Sequence, residues 1–195
     1  MADAKTLFEK GEAAKDNKKF EEAIEYYRKS ADLGYAEAQL ALGICYNYGL
    51  PVSEDLKKAF DLFQKAAVQG NSGAQTQLGL CYACGSGVSK DDKKAAEWWH
   101  KAAKQGNAEA QRNLGLCFQE GLGVTQDFEK AFNCFSKSAQ QGFAEAQLNI
   151  GLCYEDGKGV SQDYAKAAEW YKKAATQGNE DAANNLDRLK KLRLV

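Results

Sequence analysis

Glycines at positions 34, 70, 106 and 142 stand 36 residues apart in a chain of 195. Set in register, they divide the sequence without a gap into units 34–69, 70–105, 106–141 and 142–177, and Gly178 opens a fifth. A fixed period of this length marks an architecture built by stacking one supersecondary unit on the next. The first half of each unit carries an apolar stripe, in the third unit Ala110, Leu114, Cys117 and Phe118. Offsets of four, seven and eight residues place these on one face of a helix. A turn follows: YGLPVSED, CGSGVSKD, EGLGVTQD or DGKGVSQD. Its glycines can take the positive φ that ends a helix. Its last residue, always Asp, offers an oxygen and a negative charge to the next helix start. The second half is again amphipathic. In DYAKAAEWYKKAATQ, the small residues Ala167, Ala174 and Ala175 and the pair Trp170 and Tyr171 need burial.

Neither helix of a pair can bury its stripe alone, so the pairs must stack into an α-solenoid. Gly43, Gly79, Gly115 and Gly151 sit inside the first helix of each unit. A mid-helix glycine costs roughly 0.5–1 kcal/mol relative to alanine, so four at one register predict a close helix–helix approach that a Cβ would obstruct. Residues 3–33 form a related unit with a shorter connection, DNKK, placing Gly11, Phe20, Ala23 and Tyr27 at tetratricopeptide spacing. Residues 178–195 put Ala182, Leu186 and Leu189 on one face with charge opposite, as a capping helix requires. The expected fold is all-α, about eleven helices with no strands, in one repeat domain over 1–195.

The pattern A-E-A-Q-x-N-[LI]-G-L-C-[YF]-x-x-G-x-G-V-x-Q-D-x-x-K-A, drawn from units 106–141 and 142–177, resembles the Sel-one-like repeat (SLR), a longer-looped relative of the tetratricopeptide repeat. It runs from Gly34 to about Leu189. The resemblance implies a right-handed α/α superhelix whose concave face binds other proteins, with members acting as adaptors or scaffolds. A cysteine-rich branch of the family ties its helix pairs with disulfides and has been associated with penicillin binding. This sequence departs from that branch, because its recurring cysteine has no recurring partner.

Several residues invite a chemical reading. Cys81 and Cys84 form a C-x-x-C directly before Gly85-Ser86-Gly87. In register, however, Cys45, Cys81, Cys117 and Cys153 occupy one apolar position, and free cysteine packs as a small hydrophobe. Neighbouring units lie about a helix diameter apart, ~10 Å, too far for these to bridge one another. Cys134 aligns with Leu62, Trp98 and Trp170 and reads as packing. Only Cys84 is irregular, aligning with Tyr48, Glu120 and Asp156. A zinc site needs a second C-x-x-C, and none exists. The single histidine, His100, aligns with Gln64, Ser136 and Lys172 in a surface register. The glycine turns recur, whereas a phosphate loop is a single specialised element. No serine has lysine three residues on, so S-x-x-K is absent. We therefore expect no enzyme, no catalytic residue, no metal and no cofactor. The alternatives are a penicillin-interacting or weak β-lactamase-type enzyme, and a thiol-based regulator working through Cys84.

Lys and Arg number 26 and Asp and Glu 27, for a net charge of −1. That balance predicts no nucleic-acid partner. No apolar run is long enough for membrane insertion. Cysteines without partners, and a start with no signal-peptide character, predict a cytoplasmic protein, with a secreted or periplasmic one the alternative if a signal has been removed; a monomer is the default.

By analogy with tetratricopeptide domains, the concave face takes the first-helix residues spared from the core. One such column is Glu37, Gly73, Glu109, Glu145 and Asp181, and a second is Leu40, Thr76, Arg112, Leu148 and Asn184. A third column runs through Ala41, Gln77, Asn113, Asn149 and Asn185, and a fourth through Ile44, Leu80, Leu116 and Leu152. An amide both donates and accepts, so the third column could hold an extended peptide backbone. Apolar residues spared from a core mark binding surfaces. On this reading a protein or peptide partner meets Gln77, Asn113, Asn149, Asn185, Arg112, Ile44, Leu80, Leu116 and Leu152. Alternatively the amides bond neighbouring helices, and the apolar strip is packing between units.

Overall fold

The computed structural model describes residues 2–195. Among them are eleven α-helices and no strand. They are α1 (Ala4–Asp16), α2 (Phe20–Asp32), α3 (Ala36–Tyr48), α4 (Leu56–Val68), α5 (Ser72–Cys84), α6 (Asp92–Lys104), α7 (Ala108–Glu120), α8 (Phe128–Gln140), α9 (Ala144–Asp156), α10 (Tyr164–Ala175) and α11 (Glu180–Lys191). The chain forms two compact units, Met1–Ala102 and Ala103–Val195. In the first, α1 pairs with α2 and α3 with α4, while α2 packs on α3 and α4 on α5. In the second, α7 pairs with α8 and α9 with α10, while α8 packs on α9 and α10 on α11. Each is a stack of antiparallel helix pairs, the solenoid arrangement that the 36-residue period predicts.

The mid-helix glycines mark the tightest point of each pair. A Cβ on Gly43 would lie 2.6 Å from the Phe63 ring, and one on Gly79 2.5 Å from the Trp99 indole. In the second unit Gly115 meets Phe135 at 2.5 Å, and Gly151 meets Tyr171. The aromatic partners are buried, Phe63, Phe135 and Tyr171 completely. The rings occupy the space that a side chain at each glycine would need. The indole nitrogen of Trp99 also donates to the Thr76 carbonyl at 3.2 Å. Gly11 and Tyr27 make the same contact in the first helix pair, at 2.6 Å.

Helix ends follow the turn chemistry. Gly49, Gly85, Gly121 and Gly157 are left-handed C-caps with φ between 65° and 75°. At the far side of each turn, Asp55, Asp91, Asp127 and Asp163 accept from the backbone N–H three residues on, at 2.9–3.0 Å. The lysine at that position also pairs with the carboxylate through its ammonium. For Asp91, Asp127 and Asp163 the backbone bond is the main force holding the carboxyl below its ordinary range, followed by the lysine side chain. For Asp55 the Lys58 side chain contributes most. A carboxylate with a depressed folded pKa stabilises the fold above its unfolded pKa and loses that contribution as pH falls through the folded value. Thermal melts should therefore hold steady from neutral pH down to the ordinary carboxylate range and drop below it. Asp127→Asn should flatten part of the acid limb, and an acid limb unchanged by it would refute the assignment.

Candidate protein-interaction face

The first helices carry a buried amide network that the sequence reading passed over. Gln39, Gln75, Gln111 and Gln147, from the recurring Ala-Gln pairs, are all buried. Their Nε2 atoms donate to the carbonyls of Ala31, Ala67, Ala103 and Ala139 at 3.1–3.4 Å. The Oε1 atoms of Gln39, Gln111 and Gln147 accept from Gln69, Gln141 and Gln177 at 2.8–2.9 Å. Each such glutamine ties its first helix to the end of the preceding second helix. Buried polar groups must be satisfied, and this network satisfies them while fixing how successive pairs stack. The signal was present in the recurring glutamine, one position after the buried alanine.

With that edge of the first helices committed to stacking, the proposed contact residues separate into two groups. In the first unit, Ile44 is exposed, and Gln77 and Leu80 are half-buried. Gly73 brings α5 against α3, since a Cβ there would lie 2.9 Å from Leu40. Thr76 is buried, its hydroxyl donating to the Ser72 carbonyl at 2.9 Å.

In the second unit the amides are not an open ladder. Asn113 is buried. Arg112 reaches along the face, donating from NH1 to Oδ1 of Asn113 at 3.2 Å and from Nε to Oδ1 of Asn149 at 3.3 Å. Burial pulls the Arg112 guanidinium below its ordinary pKa, against the opposing pull of Glu145 and Glu109. Burial likewise raises the Glu109 carboxyl, countered by Arg112 and reinforced by Glu145. The result is a half-buried cation under the influence of two carboxylates, with hydrogen bonds that join α7 to α9. Leu116 is half-buried against the Phe135 and Ile150 cluster, and Leu152 against the Tyr171 and Leu189 cluster. These two leucines contribute to packing between pairs as well as to the face. Asn185, half-buried on α11, lies 3.4 Å from the Arg188 guanidinium. Arg188 in turn holds Glu155 at 2.6 Å.

The cysteines are thiols. Cys81, Cys117 and Cys153 are buried, and burial raises the thiols of Cys81 and Cys153 to about 11. Such thiols are poor nucleophiles at neutral pH. Cys84 is exposed beside the helix-ending Gly85. His100 is exposed as well. Among the described residues, no group of three or more His, Cys, Asp or Glu side chains is placed to hold a metal ion. No helix among them is long and apolar enough to cross a membrane.

Comparison with known proteins places this architecture. The Sel1 repeat model matches residues 6–35, 36–71, 72–107, 108–143 and 144–179, so the N-terminal unit matches along with the four regular ones. Comparison with individually curated proteins returns no match. Among solved structures, a Sel1 repeat protein from Oxalobacter formigenes is 31% identical, with a TM-score of 0.91, over 97% of this chain and 77% of that one. A protective antigen of uropathogenic Escherichia coli with an SLR fold is 31% identical, with a TM-score of 0.88, over 98% of this chain and 42% of that one. Helicobacter pylori cysteine-rich protein B is 28% identical, with a TM-score of 0.52, over 68% of this chain and 98% of that one. Repeats of this kind generally serve as scaffolds for protein–protein interaction. The chain belongs to the Sel1 repeat family.

Proposed function

We propose that the protein is a non-enzymatic adaptor that binds a peptide or protein segment along the solvent-reaching face of its first helices. One observation carries this reading: Arg112, half-buried, is oriented by its bonds to Asn113 and Asn149 at a register where the other regular units have no charge. A guanidinium preorganised in this way recognises peptide carbonyls or carboxylates at a smaller entropic cost than a free side chain. Its flanking carboxylates, Glu109 and Glu145, supply acceptors for N–H groups of the same segment. In the first unit the corresponding face is apolar, built on Ile44 and Leu80 with Gln77 beside them. It would take apolar side chains.

The test starts from a random peptide library displayed on phage and selected on the full-length chain. Arg112→Ala with Asn149→Ala should weaken a selected peptide by about tenfold or more, the range of a hot-spot arginine. Ile44→Asp with Leu80→Asp should do the same for peptides that dock on the first unit. Both variants should stay folded at the assay temperature, with melts lowered modestly because Arg112 and Leu80 are half-buried. Peptides that bind all three proteins equally would place the interaction elsewhere.

A further inference from the structure

Where a helix-ending turn meets the preceding second helix, two junctions are closed by glycine. Gly87 (φ 70°) and Gly159 (φ 73°) lie so near the carbonyl oxygens of Leu56 and Phe128 that a Cβ would collide with them. At the first junction the corresponding positions are Pro51 and Phe20. Proline carries a Cβ and fixes φ near −65°, so it cannot adopt the glycine conformation. Pro51 cannot close on α2 as those glycines close on their helices, and although Val52 packs on the core, the space beside Pro51 stays open. A cavity of about 390 Å³ results, between the Phe20, Ile24 and Tyr27 side of α2, the turn residues Leu50 and Pro51, and Cys45 of α3. Phe20 and Leu50 are 47% and 70% exposed at its edge, although tetratricopeptide spacing would have placed Phe20 in the packing.

The chemistry of the walls selects the occupant. The volume falls within the roughly 300–1,000 Å³ of small-molecule sites. The walls are apolar, and the one hydroxyl among them, on Tyr27, is engaged with Glu12. A peptide main chain entering here would leave its N–H and C=O groups unpaired, a penalty that an alkyl chain does not meet. The only charged lining residue is Lys15 of α1. Its ammonium donates to Glu12 at 2.5 Å and has three N–H groups in all, so it can serve a second carboxylate. We propose that this cavity binds a medium-chain aliphatic carboxylate, the chain against Phe20, Ile24 and Leu50 and the carboxylate on Lys15 Nζ. The site is separate from the first-helix face and does not depend on that reading.

The probe is decanoate, kept below its micellar concentration and titrated calorimetrically into the full-length chain. One saturable site is expected. Cys45 lines the cavity and Cys84 lies outside it, so alkylation by N-ethylmaleimide, followed by peptide mass spectrometry, reports occupancy. At about ten times Kd, decanoate should slow Cys45 labelling by roughly tenfold and leave Cys84 unchanged. Leu50→Asp, at an exposed position, should abolish binding with the melt near wild type. Lys15→Met should weaken decanoate roughly threefold, as expected for a partly exposed charge pair, without changing the binding of 1-decanol. The proposal is overturned if no saturable binding appears below about 1 mM, if decanoate binds without protecting Cys45, or if Lys15→Met leaves decanoate affinity intact.

Discussion

Gly115→Leu is expected to destabilise the second unit by about 2–4 kcal/mol, the upper range for overpacking a filled core. A Cβ at this position would stand 2.5 Å from the Phe135 ring, and that ring is completely buried, with no space to retreat into. Leucine has better helix propensity than glycine, worth about 0.8–1 kcal/mol, but this gain is smaller than the steric cost. The melting temperature should fall by roughly 5–15 °C for a chain of this size. Gly106→Ala is the control. Gly106, unlike the helical Gly115, has a positive φ (88°), and no atom lies within 4 Å of its Cβ position, so only backbone strain is added. An equal effect from both substitutions would mean that helix packing at Gly115 is not the constraint.

The second expectation removes the other partner. Phe135→Ala should cost about 3–5 kcal/mol, the usual range for a fully buried aromatic. The ring fills the space between α7 and α8 and touches the cluster shared with Ile150 and Cys153 on α9. Truncation therefore loosens both the helix pair and its stacking on the next. The two sites are in contact, so their effects should not add. With the ring gone, Gly115→Ala should become neutral or stabilising, because the helix gains propensity and the obstruction has been removed. Urea unfolding of the four proteins of this cycle measures the coupling. Simple additivity would contradict the packing described here.

Both expectations rest on features that were legible as periodicity. The mid-helix glycines announced a close approach because nothing else explains four glycines at one helical register. Their aromatic partners, Phe63, Trp99, Phe135 and Tyr171, each follow the glycine by the same number of residues. That offset becomes meaningful only once the two helices are known to fold back on each other. The glutamine network was equally periodic but was missed. An amide in a sequence looks like a surface group until the carbonyl end of the preceding helix is seen to need a partner. Spacing left the apolar strip open between a binding surface and packing between units; in the structure Leu116 and Leu152 pack against aromatic clusters while Ile44 stands exposed. Which leucine serves which role depends on how deeply each pair is seated, and spacing alone carries no record of that. The cavity beside Pro51 had a visible sign, the one turn lacking its second glycine. Its consequence lay in a carbonyl oxygen 31 residues earlier in the chain.

The Arg112 arrangement illustrates why the proposed contact face is harder to read than a core. Burial repeats with the period and reveals itself by repetition. A contact residue is defined by its departure from the period, and Arg112 aligns with Leu40, Thr76 and Leu148. A charge at a position that is otherwise uncharged is costly unless it is partnered, and here Asn113 and Asn149 partner it. The same logic applies to the exposed apolar residues of the first unit, which contribute less to the fold than their burial would allow.

Amide hydrogen exchange on the full-length chain, with and without a library-selected peptide, tests the adaptor reading most directly. Exchange should slow in first helices, either α3 and α5 or α7 and α9, and stay unchanged in α4 and α8. Protection that appears instead in the second helices, with the first helices unaffected, would contradict it.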